Sequence, residues 1–212
     1  RHSTPLEQFV ELVDSIHAHN ALVIIDLPAA HTGWGSTFQV HNPEWFSRNP
    51  DGSFQSPGAW GVTWEDLCKM NFNNQALWIS LAEVFLHWCR LGVDGFRCDA
   101  GYMIPTPVWT YISAKVRQEF PDTIFFLEGL GGPMSSTTQL LQDGGLNWAY
   151  SEQFQQFGFD ALKNYTRFAI NYAEEVGLLV NFAETHDNNR LAATSPTWAA
   201  LRCMTAALLA PG

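Results

Sequence analysis

Apolar residues recur along this chain at two alternating spacings. Leu6, Phe9, Val10, Val13 and Ile16 follow Thr4-Pro5-Leu6-Glu7 at helical intervals, and that opening has the form of a capping box with proline at the first helical position. A helix to about His19 is predicted. The run ALVIIDLP, β-branched and closed by proline, predicts a buried strand ending near Asp26. Helical spacing returns at Leu77, Leu81, Val84, Phe85 and Trp88, with Gly92 in the place of a C-cap. There follow a strand in GVDGFRCDAG, a helix from Thr106-Pro107 to about Phe120, a strand in TIFFLEG and a weaker one in LNWAYSE. A helix from roughly Asp160 to Val176, a strand in LLVNFAE and a last helix capped by Ser195-Pro196 complete the pattern. Helix alternating with buried, non-alternating strand predicts a parallel α/β fold, either a (β/α)8 barrel or an open doubly wound sheet. The strands number about five, so a closed eight-stranded barrel would be incomplete.

Between His31 and about Asn74 the periodicity dissolves into Gly, Pro, Asn and Trp. That is too long for an ordinary connection and reads as a functional excursion or a small subdomain, residues 32–74. It carries Trp34, Trp45, Trp60 and Trp64 with Phe38, Phe46 and Phe54, most of which are expected to form the excursion's own small core.

In GVDGFRCDAG, period two puts Arg97 and Asp99 on one face with Val93 and Gly95, and Asp94, Phe96 and Cys98 on the other. Phe96 and Cys98 suit packing beneath helices. Arg97 and Asp99 need each other, water or a ligand, since an unpaired buried charge is costly. Alone, the pair fits a structural ion pair as well as a functional site. Yet every strand ends in a polar residue: Asp26, then Arg97 and Asp99, then Glu128, with His186-Asp187 just beyond the last. In a barrel those ends converge on the rim where catalytic groups sit, which favours a site.

The 212 residues suffice for one ordinary domain, and 46% hydrophobic against 15% charged residues argues against disorder. A net charge of −10 without a Lys/Arg cluster disfavours nucleic acid and polyanionic membrane surfaces. No apolar run approaches the length of a membrane span. Cys68, Cys89, Cys98 and Cys203 show no ligand-like spacing and are expected to be reduced, buried thiols, with a cytoplasmic setting favoured. His31 and His186 lack metal-site spacing and suit hydrogen bonding to hydroxyls better, while His17, His19, His41 and His87 read as solvated or structural. The glycines of GLGGP are too irregular for a nucleotide fingerprint, and no GxSxG occurs. Both natural termini are expected to lie elsewhere, since AALLAPG stands where another strand would begin.

Three carboxylates and an arginine suit cleavage of a glycosidic bond with retention, which needs one carboxylate as nucleophile and a second as acid and then base. Arg97 would hold Asp99 ionised as the nucleophile, Glu128 follows an apolar IFFL run that suits a proton donor, and Asp187 would bind sugar hydroxyls and favour the distorted ring.

DLPAAH, GFRCDA, FLEG and ETHDNNR resemble, in order and spacing, the four short motifs of the α-amylase family, glycoside hydrolase family 13. The resemblance implies that residues 1–212 form a partial (β/α)8 TIM barrel, about strands three to seven, with the excursion as the insertion after the third strand. It implies Asp99 as nucleophile, Glu128 as general acid/base and Asp187 as transition-state stabiliser. Arg97 would orient Asp99, and Asp26, His31 and His186 would support the site or bind sugar, with Trp34 or Trp60 also touching substrate. The implied partner is an α-glucan or oligosaccharide. Hydrolysis is the first expectation and transglycosylation, such as maltosyl transfer, the second; a non-catalytic binding relative is a further alternative, against which the three carboxylates argue. HNPEWFSRNPDGS also resembles a segment of some glucan-modifying transferases of that family, including maltosyltransferases that use a sugar phosphate. Two departures stand out. Ala30 occupies the position of an asparagine that often helps to build a calcium site, so no cofactor is expected, with calcium as the alternative that Ala30 argues against. Tyr102 and Met103 stand where a polar pair that contacts the leaving-group side often follows the second motif's aspartate, so those usual contacts are not expected here; Tyr102 stays a substrate-binding candidate.

Overall fold

A computed structural model describes residues 3–209, which belong to two compact units, Arg1–Leu146 and Asn147–Gly212. Residues 1–2 and 210–212, the latter closing the AALLAPG stretch expected to lead into a strand, lie outside the described residues.

In the first unit the chain runs through α1 (Pro5–His17), β1 (Ile24–Asp26), β2 (His31–Gly33), α2 (Thr37–His41), β3 (Gly58–Ala59), β4 (Val62–Thr63) and β5 (Leu67–Lys69). It continues through α3 (Gln75–Arg90), β6 (Gly95–Cys98), α4 (Thr106–Glu119), β7 (Ile124–Leu127) and α5 (Met134–Gln142). The capping box at α1 forms as predicted: Thr4 Oγ1 accepts from the Glu7 amide at 3.3 Å and Glu7 Oε2 from the Thr4 amide at 2.7 Å. Gly92 follows α3 with φ +92°, and a β-carbon there would lie 2.8 Å from Val13 Cγ1, so glycine both ends the helix and admits α1.

β1, β6 and β7 are parallel, with Asp26 opposite Arg97, Phe96 opposite Phe125 and Cys98 opposite Leu127. On the helix side of these strands the fully buried Phe85, Phe96, Trp109 and Phe125 form one aromatic cluster, with Phe85 at 4.7 Å from Phe96 and 5.9 Å from Trp109, centroid to centroid. Each such side chain removed from water stabilises the fold by about 1.5–3 kcal/mol. The indole N–H of Trp109 is satisfied by the Gly101 carbonyl at 2.9 Å. The excursion has the small core expected of it: Trp45 and Phe46 are buried, β2 pairs antiparallel with β5, and β3 with β4. Within it HNPEWFSRNPDGS folds on itself, Arg48 lying 3.4 Å above the Phe54 ring and Asp51 accepting from the Ser53 amide and hydroxyl.

The second unit comprises β8 (Trp148–Tyr150), α6 (Phe159–Glu175), β9 (Leu178–Val180), α7 (Leu191–Thr194) and α8 (Pro196–Leu208), with β8 parallel to β9. Buried Arg202 donates to the carbonyls of Gln153, Phe154 and Gln156, fixing the turn after β8 to α8. Among the described residues no helix is long and apolar enough to cross a membrane.

Three expectations are corrected. β1 is not buried, since Ile24 and Asp26 are exposed; among the described residues it has a strand neighbour on the β6 side alone. Cys203 is exposed, whereas the other three thiols are buried, because it lies on a face of α8 that no described residue covers. The sequence pattern has no helix after GLGGP, yet α5 forms there.

Asp94, placed by periodicity with the buried face, instead ties α1 to the sheet. Its Oδ2 accepts from the Val23 amide at 2.7 Å and meets His17 Nε2 at 2.8 Å. Replacing it leaves a buried amide unpaired. Asp94→Ala is therefore expected to lower the unfolding free energy of the full-length protein carrying this chain by about 1–3 kcal/mol in urea titration; an unchanged midpoint would contradict the tie.

Candidate active site

The C-terminal ends of β1, β6 and β7 bring together most of the residues singled out from sequence. Because Asp26 and Arg97 are direct partners across parallel strands, their side chains share a face. Arg97 Nη1 donates to both Asp26 oxygens at 2.7 and 2.8 Å, and to Asp99 Oδ1 at 2.7 Å. The Arg97 side chain is only 13% exposed, that of Asp99 29% and that of Asp26 51%, so the cation is withdrawn and its two anions face outward. These are charge-assisted bonds, and one guanidinium offsets the repulsion of two carboxylates.

The β6–β7 ladder runs past Cys98, since the Glu128 amide donates to the Cys98 carbonyl at 3.1 Å. Glu128 thus leaves the sheet beside Asp99. Between them Ala100 adopts a left-handed conformation, φ 46° and ψ 32°, and its amide donates to Glu128 Oε2 at 2.8 Å. A β-carbon in that region costs roughly 1–2 kcal/mol, and what it achieves is an amide aimed at a carboxylate. Sequence reasoning missed this residue, as no side-chain chemistry marks it.

His31 is buried, with Nε2 at 3.9 Å from Asp99 Oδ2 and its ring edge-on to Trp64 at 5.8 Å. Among the described residues its buried Nδ1 has no hydrogen-bond partner. Burial pushes the imidazole below its ordinary value, with Asp99 and Asp66 opposing. Tyr102, half-buried, feels both candidate carboxylates: its phenol is pushed up to about 12, first by burial and then by the charges of Glu128 and Asp99. The hydroxyl is therefore a neutral donor at physiological pH.

Past Glu128 the chain turns at Gly131, φ +93°, where a β-carbon would lie 3.0 Å from Tyr102 Oη and 3.1 Å from Cε2 and Cζ2 of Trp60. At Gly132 a β-carbon would lie 2.7 Å from Tyr102 Cγ. The glycines admit two aromatic rings to this turn. Trp60 heads the two-residue connection of the β3–β4 hairpin, where it and Gly61 both have positive φ, and is 73% exposed. Trp34 is placed differently. It is exposed, its indole N–H donates to the Glu65 carbonyl at 2.8 Å, and its ring meets Phe54 edge-on.

His186 and Asp187 belong to the second unit, where His186 Nε2 lies 3.3 Å from Asp187 Oδ2 and both are exposed. Glu184 shapes their loop, accepting from the Leu191 amide at 2.7 Å and pairing with Arg190 at 2.9 Å. A calcium site of the kind that the motif resemblance implies does not fit at this position: buried Ala30 offers no side-chain oxygen, and its carbonyl accepts from the Met70 amide at 3.1 Å.

No protein-family model matches the chain. A curated relative, the alpha-1,4-glucan:maltose-1-phosphate maltosyltransferase of Myxococcus xanthus, is 30% identical over 131 residues, 60% of this chain and 20% of its own length. Its counterpart from Cereibacter sphaeroides is 32% identical over 130 residues, 60% of this chain and 22% of its own. Among solved structures, an alpha-amylase from Lactobacillus plantarum matches with a TM-score of 0.73 and 24% identity, over 89% of this chain and 48% of its own. The chain thus spans about a fifth of those curated relatives and about half of that amylase. The fold is a partial (β/α)8 barrel, about its third to seventh strands, with an insertion after the third. The chain is thus similar over part of its length to these maltosyltransferases and shares its fold with that alpha-amylase.

The His31 shift has a definite sign. The unfolded chain takes up a proton near pH 6.5 while folded His31 stays neutral, so its contribution to stability is complete above that pH and is lost as pH falls towards the depressed folded value. Unfolding free energy is expected to decline between about pH 7 and about pH 5, less steeply in His31→Gln. Equal slopes in urea titrations of the two proteins would contradict it.

Proposed function

We propose that the protein containing this chain is a retaining α-glycosidase acting on α-linked glucans. The observation that carries this reading is the Arg97 fork, which holds Asp99 beside the strand end bearing Glu128. In the first step an Asp99 oxygen attacks the anomeric carbon, the glycosidic C–O bond breaks, and Glu128 gives its proton to the departing oxygen. In the second, Glu128 takes a proton from water or a sugar hydroxyl, whose oxygen displaces Asp99 from the anomeric carbon. Two inversions leave the α configuration unchanged.

Arg97 holds and aims Asp99, and Asp26 shares the cation. His31 and Tyr102 are suited to sugar hydroxyls, His31 beside Asp99 and Tyr102 within the electrostatic reach of Glu128 and Asp99. Trp34 offers an exposed ring from the insertion. For Asp187 as transition-state stabiliser and His186 as a hydroxyl partner the support is the ETHDNNR motif.

A second reading is transfer to a sugar acceptor through the same intermediate, favoured by the names of the maltosyltransferase relatives. Anomeric NMR of the full-length protein on short maltooligosaccharides, with maltose and phosphate added, separates the two. Early α-anomeric product is expected, reduced roughly a thousandfold or more in Asp99→Asn; free sugar indicates hydrolysis, and longer or phosphorylated products indicate transfer. Early β-anomer, or undiminished turnover by the variant, would sink the mechanism.

A further inference from the structure

We infer that Trp109, a core residue of α4, is a positioning residue for the acid/base candidate. Its indole N–H locks the Ala100-Gly101 turn, and the Ala100 amide then holds Glu128 Oε2 as an acceptor, leaving the transferable proton to Oε1. The inference rests on the retaining chemistry proposed above.

A chain of contacts joins the core to the carboxylate. Trp109 is fully buried between Phe85 and Phe125, and its Nε1 donates to the Gly101 carbonyl at 2.9 Å. Packing explains a ring at this position; the indole N–H adds a polar tie from α4 to the turn. Gly101 is seated where only glycine fits, since a β-carbon would lie 2.6 Å from Leu127 Cδ1 and 3.3 Å from Cys98 Cβ. Its carbonyl also accepts from the Ile104 amide at 3.2 Å, and the Ala100 carbonyl from the Met103 amide at 2.9 Å. So constrained, buried Ala100 stays left-handed, φ 46° and ψ 32°, with its amide 2.8 Å from Glu128 Oε2. A residue with a β-carbon keeps that conformation only where its neighbours over-determine it.

The direction of this last bond assigns the proton. An amide N–H can only donate, and the carbonyl oxygen of a carboxylic acid is a better acceptor than its hydroxyl oxygen. Protonated Glu128 therefore presents Oε2 to Ala100 and carries its hydrogen on Oε1. In the first step the Oε1–H bond breaks, the proton goes to the departing oxygen, and that oxygen takes the electron pair of the glycosidic C–O bond. In the second step Oε1 regains a proton from the attacking water or hydroxyl. Between the steps the amide favours the ionised carboxylate, the form that acts as base.

Loss of the indole N–H is expected to impair proton donation selectively. In the full-length protein, Trp109→Phe is expected to lower kcat/KM about tenfold on maltotetraose but less than about twofold on α-maltosyl fluoride, whose fluoride leaves with little help from an acid. The basic limb of the kcat/KM profile on maltotetraose is expected to move up by about half to one pH unit, because ionised Glu128 loses a donor. The charged and titratable groups around the turn, Asp26 on β1, His31 on β2, Arg97 and Asp99 at the end of β6 and Tyr102 beyond it, are kept in that variant. Exchange of Ala100 for L-lactic acid by nonsense suppression deletes its N–H directly. The same substrate split and the same shift are expected, so the outcome does not depend on how well Trp109→Phe folds. Phe85→Leu opens the same aromatic cluster without touching the turn; it is expected to lower the melting temperature and keep the parent's split and limb. Equal losses on the two substrates, or an unmoved limb in the ester protein, would overturn the positioning role while leaving the retaining mechanism standing. A parent that releases β-anomer first would overturn both.

Discussion

One guanidinium between two carboxylates sets the terms for the rest of the first unit. Arg97 is nearly withdrawn from water, yet Asp26 and Asp99 both lie within 2.8 Å of its Nη1. Two such anions without the cation would repel by ~1–4 kcal/mol at dielectrics between water and a protein surface, less for the half-exposed Asp26. The arrangement depends on strand register. With Asp26 opposite Arg97, the charged residues share one face, and Phe96 and Cys98 fall on the other, against Phe85 and Phe125. A slip of one residue would send Arg97 into the aromatic cluster and bring Phe96 to the charged face. The core and the candidate site are thus two consequences of the same pairing.

Around that fixed centre, backbone conformation is used to aim polar and aromatic groups. Ala100 and Trp60 both adopt left-handed conformations that residues with a β-carbon seldom take. At Ala100 the result is an amide donated to Glu128; at Trp60 it is an exposed indole at the glycine turn beyond Glu128. Such outliers persist only where surrounding structure over-determines them. Ala100 is buried, and Trp60 is held by the two-stranded pairing of Gly58 with Thr63 and Ala59 with Val62.

Much of this was legible in the sequence, because hydrophobic spacing reports on burial and strand ends report on the rim. The helices from Pro5, Gln75, Thr106, Phe159 and Pro196 all begin within a few residues of where the pattern of the sequence places them. Arg97 and Asp99 share a face as period two requires, and the opposition of Phe96 is seen in its burial. What escaped was set by neighbours rather than by the local pattern. β1 is exposed because among the described residues a strand covers one of its edges alone, Asp94 is an anchor because His17 and the Val23 amide reach it, and Cys203 is exposed on a helix that also exposes Leu201, Met204 and Leu208. The Ala100 amide and the approach to Gly131 are backbone features that no side chain announces.

Asp99 as the nucleophile at the anomeric carbon is the assignment on which every other role depends. The most direct measurement is mass spectrometry of proteolysed full-length protein after exposure to a 5-fluoro-α-glucosyl fluoride, using the Glu128→Gln variant to slow breakdown of any intermediate. A glucosyl-type mass increase is predicted on the peptide containing Asp99, localised by fragmentation to that residue and absent from Asp99→Asn. An adduct on another carboxylate, or equal labelling of the Asp99→Asn protein, would contradict the assignment.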